Sequence, residues 1–270
     1  MPRPRKNSQI GNPSETLNGP VLPASLVDRI DPALPKAPQV YDVLRAAIVT
    51  LVMPPGCLIN ERQLCEQLGV SRTPLREAIL QLSVENLVLV IPNSGTFVSR
   101  INLQDVFDGQ LVRDALEMKV VRLAAAKMNT SAERKLDFNL HQQTKLAEDL
   151  DYDGFYELDE EFHSMICDIG ASPGMWKIIN SAKAQLDRVR RLAFPAPSHL
   201  SVVLKEHTAI ATALKIRASD EAAAAMKVHL DRVFETIRRL IVEQSDYFSS
   251  VSNVDLDRYE SFLREARRDE

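Results

Sequence analysis

Two short helix-forming stretches separated by a glycine and a valine constrain this chain more than any other feature. The first runs from Glu61 to Leu68, with Asn60 as its cap, apolar positions Leu64 and Leu68, and Gly69 where a left-handed stop belongs. The second begins after Ser71, a good N-cap, and places Leu75, Ala78, Ile79 and Leu82 on one face up to about Glu85. Two helices joined by so tight a turn form a helix-turn-helix, and the residues beyond Glu85 narrow the choice. Leu87–Ile91 and Thr96–Val98 are β-prone runs joined by Pro92-Asn93-Ser94-Gly95, the pattern of a small hairpin. A preceding helix over 39–52, built on Val40, Val43, Leu44, Ala47, Ile48 and Leu51, ends at Pro54-Pro55-Gly56 and completes a winged helix-turn-helix.

The second helix of such a motif enters the major groove of DNA, so its first residues must be donors or small hydroxyls. Ser71, Arg72, Thr73 and Arg76 meet that need, because an arginine fork can pair with a guanine edge and hydroxyls can bond phosphate. Arg62 opens the helix expected to cross the DNA backbone, and Gly95 leaves the wing tip able to approach a minor groove. The net charge of −4 does not oppose this. Residues 36–100 carry six Lys/Arg against five Asp/Glu, and the acidity lies in residues 101–270.

At 270 residues the chain has room for two domains, and 45% hydrophobic residues suffice for a sizeable core. Residues 1–38 hold more than half of the 15 prolines and read as a disordered tail, whose Arg3, Arg5 and Lys6 could attract DNA. Residues 39–100 form the winged domain. From residue 101 to 250 the pattern is helical throughout: 103–128, 131–149, 151–169, 174–194, 199–217 and 220–245, with 251–270 a final helix or tail centred on 254–268. Short connections make this an antiparallel bundle of six or seven helices, so the fold class is mostly α. No apolar run is long enough to span a membrane and no cleavable leader is visible, which points to the cytoplasm. Cys57, Cys65 and Cys167 are scattered and read as small hydrophobic side chains.

Polar residues on core stripes mark a second site. Asp159 and His163, four apart, share a helix face with Phe155, Phe162 and Ile166; His207 lies in the row Leu200, Leu204, Ala211, Leu214; His229 lies in the row Ala222, Met226, Val233, Ile237. A single core histidine is usually satisfied by a neighbour, but one carboxylate and three imidazoles facing one interior would suit a divalent metal with open positions. Zinc is the expected ion, with nickel or manganese open, since N/O ligation alone does not fix the choice. On the first bundle helix Gln110 and Arg113 also face inward. Arg113 would accept either an anionic ligand or an internal pair with Glu117. Trp176 reads as core.

The stretch PPGCLINERQLCEQLGVSRTPLREAILQLSVENLVLVIPNSGTFVS resembles the DNA-binding domain of the GntR family of bacterial regulators, and the helical remainder resembles the family's FadR-type ligand-binding domain. Helix-turn-helix proteins usually need two half-sites, so a homodimer on double-stranded operator DNA is expected; the resemblance implies Arg62, Arg72, Thr73 and Arg76 as DNA contacts, with the wing at Gly95. It implies a metal held by Asp159, His163, His207 and His229, and a small carboxylate metabolite as effector. Asn86 stands where relatives commonly have glycine. The expected function is a metabolite-responsive regulator, most naturally a repressor. A metal-dependent hydrolase using the Asp/His set is the alternative, and a purely structural metal a third reading.

Overall fold

The computed structural model describes residues 19–193 and 197–249, which divide between Arg100 and Ile101 into two compact units. The first contains α1 (Ala24–Val27), α2 (Lys36–Val49), α3 (Glu61–Leu68), α4 (Arg72–Val84), β1 (Val88–Ile91) and β2 (Gly95–Val98). The β-strands pair antiparallel from Val88↔Val98 to Ile91↔Gly95. α2 packs on α4, and Val40, Leu44 and Ile48 of α2 and Leu75, Ile79 and Leu82 of α4 are buried, as are Leu64, Leu68, Leu87 and Val98. The Asn60 side chain accepts the Gln63 amide at 3.1 Å, and Gly69 takes the left-handed conformation (φ 61°) that closes α3.

Several expectations for this unit need correction. Residues 19–38 are ordered on the domain: Leu22 and Leu26 are buried, and the Leu22 amide donates to Gln67 Oε1. Pro23 and Pro35 stand at the N-caps of α1 and α2, positions where a missing N–H costs nothing, so the prolines begin helices here. The basic residues Arg3, Arg5 and Lys6 lie outside the described residues. α2 starts at Lys36 and stops at Val49, before the prolines, where Leu51 turns left-handed at φ 63°. Ser71 has the extended backbone of an N-cap, but its hydroxyl makes no cap bond. Asn86 adopts φ 57°, the left-handed exit that asparagine tolerates.

The second unit is a bundle of α5 (Leu103–Lys127), α6 (Thr130–Glu148), α7 (Tyr152–Gly170), α8 (Pro173–Ala182), α9 (Ala184–Ala193), α10 (Pro197–Lys215) and α11 (Ser219–Glu243). Asn102, Asn129 and Asp151 cap α5, α6 and α7 by accepting backbone amides. α5 packs against α7, α9 and α11, while α10 joins α6 to α11. Val120, Val121, Ala124, Phe162, Ile166, Ile210, Leu214, Met226 and Leu230 belong to one apolar cluster. The expected helix 174–194 breaks at Lys183, whose ammonium is drawn to Glu160 (2.5 Å) and Asp187 (2.7 Å). α9 is buried on nearly every side, a burial that its charged sequence conceals. The segment 254–268 lies outside the described residues.

Candidate metal centre and DNA-facing helices

α7 supplies Asp159 and His163 from adjacent turns, α10 supplies His207 and α11 supplies His229; all four are buried, and their ligand atoms lie within 4.8 Å of one another. His163 Nε2 and His229 Nε2 are 3.1 Å apart, and His207 Nε2 is 3.5 Å from Asp159 Oδ1. Behind each ring stands an acceptor. His163 Nδ1 faces Glu117 Oε2 at 2.6 Å, His207 Nδ1 faces Gln143 Oε1 at 2.9 Å, and His229 Nδ1 faces Glu206 Oε2 at 3.0 Å. At His207 and His229 an acceptor at Nδ1 favours the proton there and turns Nε2 toward the other side chains as an acceptor. One nitrogen from each of three imidazoles and one carboxylate oxygen are thereby gathered in a single small space.

Such a convergence is costly unless a cation sits in it. Asp159 Oδ1 and His207 Nε2 have no hydrogen-bond partner among the described residues, although both are buried. Burial pushes the His207 and His229 imidazoles below the usual histidine range, and their neighbours push His207 further, so both are poised as neutral donors. Burial opposes ionisation of Asp159, but Arg190 and then the nearby imidazoles hold its carboxyl well below the usual range. One carboxylate and three imidazoles are a set that could hold a divalent metal ion.

Around the four lies a shell of charge that the sequence did not mark. Arg190 pairs with Asp159 Oδ2 and, at 2.7 Å, with Glu160. Arg113 donates from Nε to Glu117 Oε1 at 2.6 Å, so the internal pair is formed, and its Nη2 lies 3.3 Å from His163 Nε2. Glu117 is held far below the normal carboxyl range, with burial opposed by Arg113 and His163. A cavity of about 40 Å³ abuts the centre and is lined by Arg113, Asp159, Arg190, His199, His229 and Arg232, among others. Burial, reinforced by Arg190, pushes the His199 imidazole down to about 4. Gln110 is not part of that lining; its amide donates to the Leu230 carbonyl at 2.9 Å and ties α5 to α11. Of the acids near the ligands in sequence, Glu160 binds Arg190 and Lys183, Glu161 meets Asn139, and Glu206 meets His229 and Arg232.

In the other unit the helix pair exposes its expected contacts. Arg72, Thr73 and Arg76 stand on the outer face of α4, with Ser71 just before it. Arg62 pairs with Glu66 at 3.0 Å along α3, and Arg76 Nε meets Glu61 Oε2 at 3.2 Å across the two helices. The wing differs from expectation. Gly95 opens β2 at φ 129°, half-buried, where an added Cβ would lie 3.2 Å from Leu58 Cδ1. The exposed tip is Pro92-Asn93-Ser94, with Asn93 at φ 60°. Cys167 is buried as expected, whereas Cys57 and Cys65 are only half-buried.

Residues 36–98 match the gntR family of bacterial regulatory proteins, and residues 110–232 match the FCD domain. Over 221 residues, 82% of this chain and 97% of the relative, it is 35% identical to the HTH-type transcriptional repressor RspR of Escherichia coli. This chain belongs to the GntR family. The pairing of a GntR helix-turn-helix with an FCD domain fits its FadR-type branch. The Nta operon transcriptional regulator of Aminobacter aminovorans is 31% identical over 190 residues, 69% of this chain and 87% of its own. Among solved structures, Escherichia coli McbR/YncC has the same fold, with a TM-score of 0.67 at 20% identity, covering 76% of this chain and 98% of that one. As a GntR-family member the chain is a DNA-binding transcription regulator and not an enzyme, which removes the hydrolase alternative. No helix among the described residues is long and apolar enough to cross a membrane.

Proposed function

We propose that this regulator is a homodimeric repressor whose hold on operator DNA is changed by a small organic acid bound beside a zinc ion in the helical unit. The observation that carries this reading is the cavity against the Asp/His centre. It borders two of the four metal-ligand candidates, Asp159 and His229, and also Arg113, Arg190 and Arg232. A divalent ion there would bind one carboxylate oxygen of the acid, and the Arg113 guanidinium would bind the other. Asp159, His163, His207 and His229 would hold the ion. Zinc suits this N/O set, with nickel and manganese as the competing ions. The relative RspR is named a repressor, which favours repression here.

On the DNA side, Arg62, Ser71, Arg72, Thr73 and Arg76 make the operator contacts, with the wing turn between Ile91 and Gly95 beside them. Two copies bring two such helix pairs to two half-sites, as helix-turn-helix geometry favours. The whole reading is tested by gel shift on the region upstream of the gene and its neighbours, with zinc-loaded and chelated protein and a panel of small organic acids. The expected result is a shift that one acid alters only when metal is present. Calorimetry then places the acid: Arg113→Ala should weaken its binding at least tenfold, and unchanged affinity would sink the Arg113 assignment.

A further inference from the structure

Glu61 is the first residue of α3, and the Asn60 cap immediately before it fixes the backbone from which its side chain reaches. That side chain is 30% exposed and touches Arg76, which is 66% exposed and fifteen residues away on α4. The carboxylate is thus the sheltered partner and the guanidinium the projecting one. Only Nε is engaged, at 3.2 Å. The four N–H groups on Nη1 and Nη2 remain available.

The other arginines of the helix pair are held differently. Arg62 pairs with Glu66 within one helix, and both side chains are well exposed (83% and 64%), so nothing fixes that pair relative to α4. Among the described residues Arg72 forms no ion pair. An exposed ion pair contributes little to stability, so the Glu61–Arg76 contact is poorly explained as a fold-stabilising device. It does give the Arg76 guanidinium one partner, on the Nε side, that favours an orientation with its Nη edge turned away from Glu61. A phosphate contact needs only a charge within reach, whereas reading a guanine edge with two parallel hydrogen bonds needs an oriented fork. A carboxylate near the DNA backbone also repels it, which weakens binding to any sequence.

We propose that Glu61 is a positioning residue for operator specificity, holding Arg76 in the orientation in which its free edge reads a base. The inference rests on Arg76 being a DNA contact. Its test uses the full chain and a duplex that the wild-type protein selects from a random pool, compared with a scrambled duplex by fluorescence anisotropy at fixed salt. Glu61→Gln should weaken binding to the selected duplex about 5- to 100-fold. Binding to the scrambled duplex should be unchanged or tighter, a change that loss of fold would not produce. Arg76→Ala should cause the same specific loss, and adding Glu61→Gln to it should have no further effect.

A Glu61→Gln protein that keeps its selected-to-scrambled ratio within twofold overturns the proposal, as does full additivity of the two changes. If Arg76→Ala itself leaves the ratio intact, the assignment of Arg76 falls and the proposal falls with it. Loss with Arg76→Ala but not with Glu61→Gln removes only the role of Glu61.

Discussion

Glu206 meets His229 through one carboxylate oxygen and Arg232 through the other, and so links an imidazole of the candidate metal centre to the rim of the cavity. Removing its charge while keeping its shape should loosen the ring's orientation and lower the basicity of Nε2. Glu206→Gln should therefore weaken zinc binding about 10- to 100-fold, measured by competition with a chromogenic chelator. Scrambled-duplex affinity should be unaffected, and zinc affinity equal to wild type would show that Glu206 does not support the ligand. This residue also marks where sequence reading stops. Asp159 and His163 were legible as a pair because four residues is one helical turn, and His207 and His229 because they interrupt apolar rows. Glu206, Gln143 and Arg190 acquire their roles from residues on other helices, and no period within one helix encodes that. Arg113 was legible as inward-facing, but only its contact with Glu117 shows how it is neutralised.

At the scale of elements, the close approach of α5 and α7 depends on Gly170 at the end of α7. A Cβ there would lie 2.4 Å from the Val120 carbonyl oxygen and 3.0 Å from the Ala124 amide nitrogen, backbone atoms that cannot turn aside. Gly170→Ala should force the helices apart at a cost of about 1–3 kcal/mol. For a unit of this size that lowers the melting temperature by roughly 2–12 °C, measurable by circular dichroism. A variant that melts with wild type would mean that the approach relaxes without cost. Helix boundaries in the bundle were legible to within a few residues from the apolar rows, whereas the capping side chains of Asn102, Asn129 and Asp151 show themselves only in the backbone amides they accept. The break at Lys183 was not, since Glu160 and Asp187 draw the lysine inward and the local sequence is a good helix former. α1 was hidden for a different reason. Its prolines resemble a linker until Leu22 and Leu26 are seen buried against the domain.

At the scale of the molecule, the single tryptophan isolates one unit. Trp176 lies in α8, and its ring is parallel to that of His163 with centroids 6.0 Å apart, so its emission should report on the helical unit and on the candidate metal centre. It packs against the apolar cluster but is only partly buried, at the edge of the core and not within it, and it lies beside a candidate ligand. An ion that binds only the folded centre stabilises that unit by mass action, about 2.7 kcal/mol at a hundredfold excess over its dissociation constant. Through the usual dependence of melting temperature on free energy, the tryptophan-detected transition of chelated protein should rise by roughly 5–10 °C when zinc is restored. The same titration on His163→Ala separates this from nonspecific ion binding, because that variant loses one of four ligands and should show almost no rise. An equal rise in both proteins would mean that zinc acts elsewhere. A rise confined to wild type, together with a change in operator affinity on chelation, would join the two units energetically through the metal.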